Sequence, residues 1–206
     1  MAAIETVGLT KVYKDVVAVK DLSLTVEEGE IFALLGVNGA GKTTTVKMLT
    51  GLTAPTSGEA RVMGYSVTKE LAEVKRRIDV SMQETAIARK LTVEENLLFY
   101  ASLNELDKAE RQETLSTIYS RFGLESVKDK RAAKLSGGWQ RKLSIALALV
   151  SRPEVLFLDE PTLGLDVLAR RELWHTIEAL RGKVTIVLTT HYMEEAEALA
   201  DRIAVM

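Results

Sequence analysis

Short runs of consecutive apolar residues recur along the chain, and each complete run is followed by polar or glycine-rich sequence. The three complete runs are Ile31–Leu35, Val155–Leu158 and Val184–Leu188, of which the last is interrupted by Thr185. An apolar run without alternation is typical of a strand that is buried on both faces. Ile203–Met206 has the same character and predicts a fourth strand. Strands of this kind form parallel sheets covered by helices, so the pattern predicts an α/β fold.

The segments between these runs predict helices, because apolar positions recur in them at helical spacing. The predicted helices cover Lys42–Leu52, Glu70–Arg77, Lys142–Val150, Val167–Leu180 and Met193–Leu199. In the Val167–Leu180 helix, the side chains expected to face the core are Leu168, Trp174, Ile177 and Leu180. Ile4–Val26 alternates loosely and predicts short strands, with a turn at Gly29. The turn residues of Ala54–Gly58 predict a loop.

A charged stretch that also predicts helices separates the first two buried runs. Thr92–Arg121 begins with the residue spacing of a capping box, followed by apolar residues. Lys42 and Asp159, which come after the first two runs, are much farther apart than the roughly 30 residues that one βαβ unit requires. We therefore predict a single domain over residues 1–206, with an inserted helical subdomain over approximately residues 84–150.

The charge balance and the residue usage exclude several kinds of site. Lysine and arginine together number 27 and aspartate and glutamate 29, which gives a net charge of −2. Nucleic-acid-binding domains are usually plainly basic, so no nucleic-acid partner is expected. The absence of cysteine excludes disulfides and thiolate metal sites, and two histidines cannot build a multi-histidine centre. No apolar stretch approaches the roughly 18 residues that cross a bilayer, so membrane contact is expected only through a partner.

A glycine-rich segment follows the first buried run and fits the pattern G-x-x-x-x-G-K-S/T. Its sequence is Gly36-Val37-Asn38-Gly39-Ala40-Gly41-Lys42-Thr43. The glycines let several backbone N–H groups point at one anion, and the following helix adds its positive N-terminal end. Lys42 can reach the β- and γ-phosphates of a nucleotide, and the Thr43 hydroxyl can ligate Mg²⁺. The predicted nucleotide-binding residues here are Gly36, Asn38, Gly39, Ala40, Gly41, Lys42, Thr43 and Thr44.

Two adjacent carboxylates, Asp159 and Glu160, follow the second buried run. An acid at this place in a phosphate-binding fold can hold the metal ion, and a second can polarise the attacking water. We assign Asp159 to Mg²⁺, through water, and Glu160 to the attacking water. The alternative is that the pair only caps the strand end in a solvated loop.

The segment Leu135-Ser136-Gly137-Gly138-Trp139-Gln140 resembles the LSGGQ signature of ABC ATPases. The other motifs of that family are matched in the same order by Tyr13, Gln83, Gly164-Leu165-Asp166 and His191. The resemblance extends from Tyr13 to Asp201. It implies a P-loop NTPase fold: a RecA-like, mostly parallel sheet with flanking helices, N-terminal antiparallel strands and an inserted α-helical lobe.

The resemblance also implies that two ATPase units face each other head to tail around two MgATP. Each ATP then lies between the P-loop of one unit and the signature of the other. Ser136, Gly137 and Gly138 would therefore bind a γ-phosphate held by the partner unit. The second unit would be another copy of this chain or a paralogous ATPase.

Further roles follow from the same resemblance. Tyr13 would stack on adenine, Asp166 would link the two sites, and His191 would contact the γ-phosphate and steady the attacking water. Gln83 would sense Mg²⁺ and signal to the helical lobe. The implied catalytic residues are Lys42, Gln83, Glu160 and His191, and the implied Mg²⁺ ligands are Thr43, Gln83 and Asp159. The sequence departs from the family pattern at Trp139, where glutamine is usual, and at Leu163, where many members have serine.

Thr162–Val167 and His191–Ala196 are most similar to the ATPases of drug, antibiotic and polysaccharide exporters. This similarity implies a transmembrane permease subunit as the partner and a peripheral location at the cytoplasmic face of the cell membrane. The family normally continues beyond the predicted strand Ile203–Met206, so a shortened C-terminus is expected. One alternative is a soluble ABC ATPase that works as a clamp, as in Fe–S cluster assembly. Another, a P-loop small-molecule kinase, leaves the signature and His191 without a role.

Overall fold

The computed structural model describes residues 1–104 and 106–206 and contains two β-sheets flanked by helices. The strands are β1 (Ala2–Tyr13), β2 (Val16–Glu27), β3 (Ile31–Leu35), β4 (Ser57–Val62), β5 (Tyr65–Ser66), β6 (Ile78–Ser81), β7 (Val155–Asp159), β8 (Thr185–Thr190) and β9 (Arg202–Val205). The α-helices are α1 (Lys42–Leu49), α2 (Leu71–Lys75), α3 (Val93–Leu103), α4 (Lys108–Phe122), α5 (Gly137–Ala148), α6 (Val167–Glu178) and α7 (Met193–Leu199). Two short 3₁₀ helices cover Leu124–Val127 and Ala132–Lys134.

The predicted buried runs form the centre of a parallel sheet in the order β6-β7-β8-β3-β9. Every residue of β3, β7 and β8 is buried. Successive side chains of β7 belong to different apolar clusters: Leu156 faces the cluster that contains α3 to α7, and Phe157 faces the cluster that contains α1 and the second sheet. Burial on both faces explains why these strands have no polar alternation.

The second sheet is antiparallel, in the order β2-β1-β4-β5. The predicted N-terminal strands are confirmed, although they form one long hairpin of two 12-residue strands. Its turn places Lys14 at a φ of 50°. The loop predicted over Ala54–Gly58 is partly wrong, because Ser57 and Gly58 begin β4 and Ser57 pairs with Thr10 of β1.

The helices between β6 and β7 begin and end at recognisable local signals. α3 starts at a complete capping box formed by Thr92 and Glu95, as predicted, and α4 starts at a second one. α4 ends at Gly123, whose φ of 66° is the left-handed conformation common after helices. Glu105, which the Thr92–Arg121 pattern also covers, lies outside the described residues. The helices share one apolar cluster with the parallel sheet, and their division into a separate subdomain stays a prediction.

Two details of the predicted helices are wrong. α5 begins at Gly137, five residues before the predicted start at Lys142, because Ser136 takes the N-cap position. The side chain of Leu168 is 74% exposed, and Leu173 is the buried leucine of α6. The first turn of α6 thus projects from the protein, and its packing begins in the second turn.

None of the described helices is both long and apolar enough to cross a membrane, and the longest, α4, has 15 residues.

Candidate functional site

The glycine-rich segment forms the loop between β3 and α1, as its sequence predicts. Gly41 is the N-cap of α1 and has a φ of 100°, and a Cβ there would lie 2.3 Å from the carbonyl oxygen of Ala18. Glycine is therefore required at this position. The N-terminus of α1 has no side-chain cap and no acidic residue in its first turn. Its backbone N–H groups are suited to bind an anion, so the loop fits a phosphate group.

The amino group of Lys42 lies beneath this loop. Nζ donates to the carbonyl oxygens of Gly36 at 2.6 Å and Val37 at 3.2 Å, and the side chain is 5% exposed. Nζ also lies 3.3 Å from Glu160 Oε1. The positive charge is thus held by the loop and by a carboxylate that comes from the end of β7.

Thr43 and Asp159 form an oxygen-rich pair beside the loop. Thr43 Oγ1 donates to Asp159 Oδ1 and Oδ2, both at 3.1 Å, and Thr189 Oγ1 donates to Oδ1 at 2.5 Å. Hydroxyl and carboxylate oxygens suit Mg²⁺, which keeps water ligands and uses few protein groups. Within residues 1–104 and 106–206, no three acidic, histidine or cysteine side chains gather as a metal site. The pair therefore fits a magnesium ion whose other ligands are water and phosphate.

Both the backbone and the carboxylate of Glu160, at the end of β7, are contacted by neighbouring residues. Its φ is 48°, and its N–H donates to both the carbonyl oxygen and the Oγ1 of Thr189. Its Oε2 lies 2.8 Å from His191 Nδ1, and the side chain is 7% exposed. When the Glu160 carboxylate is ionised it can only accept, and His191 then donates to it through Nδ1. Glu160 is a fixed carboxylate that can receive a proton.

Lys42, Thr43 and Glu160 open onto one cleft of about 320 Å³, whereas Asp159 and His191 contact these residues but are not among those described as lining it. Its lining consists of Ala18, Asn38, Gly39, Ala40, Gly41, Lys42, Thr43, Thr44, Gln83, Glu160 and Leu163. The structure thus brings the P-loop together with Gln83 and Glu160. Tyr13 is not among the described lining residues; it lies at the end of β1, 43% exposed, with Lys11 Nζ 4.9 Å from its ring centre.

The signature residues lie elsewhere, on a separate hollow of about 260 Å³. Ser136 and Gly137 are exposed at the start of α5, and the Ser136 hydroxyl makes no capping bond. Like α1, α5 has no acidic residue in its first turn. Asp166 lines the same hollow, and its Oδ1 caps α6 by accepting from Leu168 N and Ala169 N. One chain therefore presents two separate anion-compatible surfaces.

Trp139, the departure from the usual signature, packs inward. Its ring is half-buried against the apolar cluster that contains α5. The ammonium group of Lys142 lies 4.8 Å from the ring centre, and Lys142 Nζ pairs with Glu172 at 3.0 Å. In this position the indole stabilises the start of α5 by packing.

Three buried polar residues at the site were missed in the sequence. Thr189 contacts Asp159 and Glu160, Arg141 contacts the backbone beneath them, and Glu195 lies below, accepting from Trp174 Nε1 at 3.1 Å. Burial lowers the pKa of Arg141 to about 10 and raises the pKa of Glu195. Their positions in the sequence were the available signal. Thr189 follows the third buried run, Arg141 comes one turn after the signature, and Glu195 lies in the helix after His191.

The chain is similar to known proteins along its whole length. The family described as "ABC transporter" matches residues 19–163. The phospholipid-transporting ATPase ABCA3 of Homo sapiens is 44% identical over 210 residues, which cover 100% of this chain and 12% of that protein. The daunorubicin/doxorubicin resistance ATP-binding protein DrrA of Streptomyces peucetius is 44% identical over 205 residues, which cover 99% of this chain and 62% of that protein. The chain thus spans less than two thirds of either relative.

Solved structures agree with the observed fold. CbiO1 from Clostridium perfringens, described as part of the ABC transporter complex cbiONQ, superimposes with a TM-score of 0.91 at 28% identity, covering 100% of this chain and 84% of that chain. A structure described as the ATP binding subunit of an ABC transporter superimposes with a TM-score of 0.85 at 31% identity, covering 99% of this chain and 85% of that chain. With the P-loop, the adjacent acids and the signature in place, the chain belongs to the ABC transporter family of ATPases.

Proposed function

We propose that this chain is the ATP-binding and ATP-hydrolysing unit of an ABC exporter, working as a dimer around two MgATP. The observation that carries the proposal is the meeting of Lys42, Glu160 and His191 at the carboxyl ends of three neighbouring strands, above a phosphate-binding loop. The same ends supply Asp159 and Thr189. Ligands of open α/β sheets bind at this edge.

Glu160 is the group we assign to the attacking water. Its carboxylate takes one proton from the water as the water oxygen bonds to the γ-phosphorus and the bond to the bridging oxygen breaks, which yields ADP and phosphate. His191 holds the carboxylate through Nδ1, so a second bond from its Nε2 to the γ-phosphate requires a hydrogen on both ring nitrogens. Lys42 would exchange its contact with Glu160 for the β- and γ-phosphates.

Thr43 and Asp159 would hold Mg²⁺, and Gln83, which lines the same cleft, is the third proposed ligand. The ion supplies positive charge that neutralises the phosphate oxygens during transfer. The protein contributes the fixed positions of these oxygens, since Thr189 holds the Asp159 carboxylate from the opposite side.

A dimer would explain why the signature residues line a hollow separate from the P-loop cleft. Ser136, Gly137 and Gly138 lie on a second surface that offers a hydroxyl, exposed backbone and the start of α5. In a head-to-tail pair, this surface would cover the γ-phosphate bound by the partner unit, and Asp166 beside it would face the junction of the two sites. Tyr13 is the proposed contact for adenine.

A membrane-spanning permease subunit is the proposed partner, docked on the helices between β6 and β7 and on the segment after Gln83. α3 presents Leu98, Phe99 and Leu103 to the surface, each at least 40% exposed. The proposed location is therefore peripheral, at the cytoplasmic face of the membrane. Two relatives, a drug-resistance ATP-binding protein and a phospholipid-transporting ATPase, support an export role.

ATP turnover by the purified protein tests the proposal. Glu160→Gln should keep MgATP binding, lower turnover by about 100-fold or more, and accumulate a dimer only when ATP is present. The matched control is Glu154→Gln, which removes an exposed carboxylate from the opposite end of the same strand and should turn over normally. Wild-type turnover by Glu160→Gln would reject Glu160 as the base.

The partner is tested separately, by purifying the intact tagged protein from solubilised native membranes and identifying what accompanies it. A stoichiometric multispanning subunit supports the transporter. A set of soluble proteins alone supports the alternative, a clamp of the Fe–S assembly type.

A further inference from the structure

Arg141 is a nearly fully buried arginine at the centre of the site, with 4% of its surface exposed. It lies at the start of the second turn of α5, three residues after Gly138 of the signature. Its guanidinium donates to five backbone carbonyl oxygens: Pro161 (2.8 Å), Asp159 (2.7 Å), Glu160 (3.1 Å), Met82 (2.6 Å) and Gln83 (3.2 Å). One side chain therefore joins the signature helix, the catalytic acids and the segment of Gln83.

The recorded bonds of this guanidinium go to main chain rather than to a carboxylate. A planar fork of five N–H groups can satisfy several carbonyls at fixed angles, which a lysine ammonium cannot reproduce. Burial lowers the pKa of Arg141 to about 10, while Asp159, Glu195 and Glu160 favour its charged form, so it remains a cation near neutral pH. Its contacts fix backbone position rather than neutralise a single acid.

The backbone that it fixes is a strained one. Glu160 has a φ of 48°, a left-handed conformation that costs a non-glycine residue energy and persists only when its surroundings enforce it. Thr189 accepts the Glu160 N–H on one side, and Arg141 donates to the Glu160 carbonyl on the other. The two contacts together hold the backbone of Glu160 in place, while His191 and Lys42 contact its carboxylate.

We propose that Arg141 is a positioning residue that sets the backbone of Glu160 and Gln83 relative to the signature at the start of α5. The inference rests on the proposed ATP hydrolysis. It assigns Arg141 no contact with nucleotide: the residues described as lining the P-loop cleft do not include it. Its loss should therefore reduce catalysis while the binding of MgATP to the P-loop persists.

The test compares Arg141→Met and Arg141→Lys with the wild type, measuring kcat, the Kd for MgATP and the Tm. Arg141→Met should lower kcat by about 100-fold, the loss typical of a small misplacement of catalytic groups, with the Kd changed by no more than about twofold. The kcat of Arg141→Lys should lie between those of the wild type and Arg141→Met, because an ammonium group can bind only some of the five backbone carbonyls. In Arg141→Ala, guanidinium ion below denaturing concentration should restore part of kcat.

The matched control is Arg77→Met, which removes a partly buried guanidinium, 25% exposed, that also donates to a backbone carbonyl, that of Glu73. Arg77 lies away from the cleft. The kcat of Arg77→Met should therefore stay at the wild-type value even if the Tm of the variant falls. An equal fall of kcat in both variants would mean that Arg141 acts only through stability and would overturn the inference.

Other outcomes are equally decisive. If Arg141→Met does not fold, a folded Arg141→Lys with wild-type kcat overturns the inference, and one with reduced kcat and unchanged Kd supports it. A raised Kd with unchanged kcat overturns it as well. Absence of turnover in the wild type would instead reject the proposed function, so the two failures are distinguishable.

Discussion

Lys42 Nζ lies 3.3 Å from Glu160 Oε1, and both side chains are less than 10% exposed. Removing one partner of a buried ion pair leaves the other charge uncompensated. In the proposed mechanism, a phosphate group that enters the loop would offer Lys42 a new partner and would release Glu160 toward the reacting water. Nucleotide binding and the freeing of the proposed base would then be connected through this one contact.

Lys42→Ala should weaken MgATP binding by roughly tenfold to hundredfold, because it removes charge-assisted bonds to phosphate. Equilibrium binding of a fluorescent ATP analogue measures the change. Lys47→Ala is the matched control, since Lys47 lies on the same helix but outside the cleft. An unaltered Kd for Lys42→Ala would refute the phosphate site.

Ser136→Arg should prevent the dimer while sparing nucleotide binding by the single chain, because Ser136 lies on the hollow away from the P-loop cleft. In the Glu160→Gln background, size-exclusion chromatography with ATP should show the dimer lost and the monomer Kd changed by less than about twofold. Ser126→Arg, another exposed serine, should retain the dimer. Loss of both dimer and binding would make Ser136 a structural residue.

Gly41→Ala should lower the free energy of unfolding by about 1–3 kcal/mol from backbone strain alone, and further because its Cβ would meet Ala18 O at 2.3 Å. Gly39→Ala isolates the first effect: its φ is 88°, but no atom lies within 4 Å of the added Cβ among the described residues. Urea unfolding measures both variants. Equal losses would show that the loop moves away from Ala18 without cost.

Glu195→Gln should make unfolding stability less sensitive to pH. Burial raises the pKa of Glu195 in the folded state, so its favourable contribution is complete below the ordinary pKa and is lost as pH rises through the raised value. Glutamine cannot ionise and can still accept from Trp174. The variant should therefore gain stability over the wild type as pH rises from 5 to about 8, which urea unfolding at both pH values measures.

Glu197→Gln is the control for this prediction, because Glu197 is exposed on the same helix and should follow the wild type. A difference between Glu195→Gln and wild type that is the same at every pH would contradict the assigned cause.

The fold could be predicted where burial of a strand requires a run of apolar residues. β3, β7 and β8 are buried on both faces, so their runs are wholly apolar or nearly so and were recognised with small errors at the ends. The local sequence at Ser57 and Gly58 predicts a loop, because β4 is half exposed and its partner strand comes from the distant N-terminus. Pairing over such a distance overrides the local turn preference.

The site was predictable where chemistry requires a fixed local pattern. The P-loop and the acids after β7 lie where the sequence placed them, because backbone geometry demands those glycines and that strand end. Because glycine is a poor helix former, the sequence predicts a start of α5 after Gly137 and Gly138. The helix nevertheless begins at Gly137, because Ser136 takes the N-cap position. Arg141 could not be recognised as central, because its five partners are main-chain atoms and leave no residue pattern.

The strand order of the parallel sheet also bears on how the chain folds. β7, β8 and β3 are adjacent in space, but Thr43 and Asp159, which meet at their ends, are 116 positions apart in the chain. Long-range pairing of this kind closes large loops and forms slowly. A chain in which one of these strands is unpaired would lack part of the proposed nucleotide site. ATP would therefore bind the folded sheet preferentially and shift the folding equilibrium toward it by mass action.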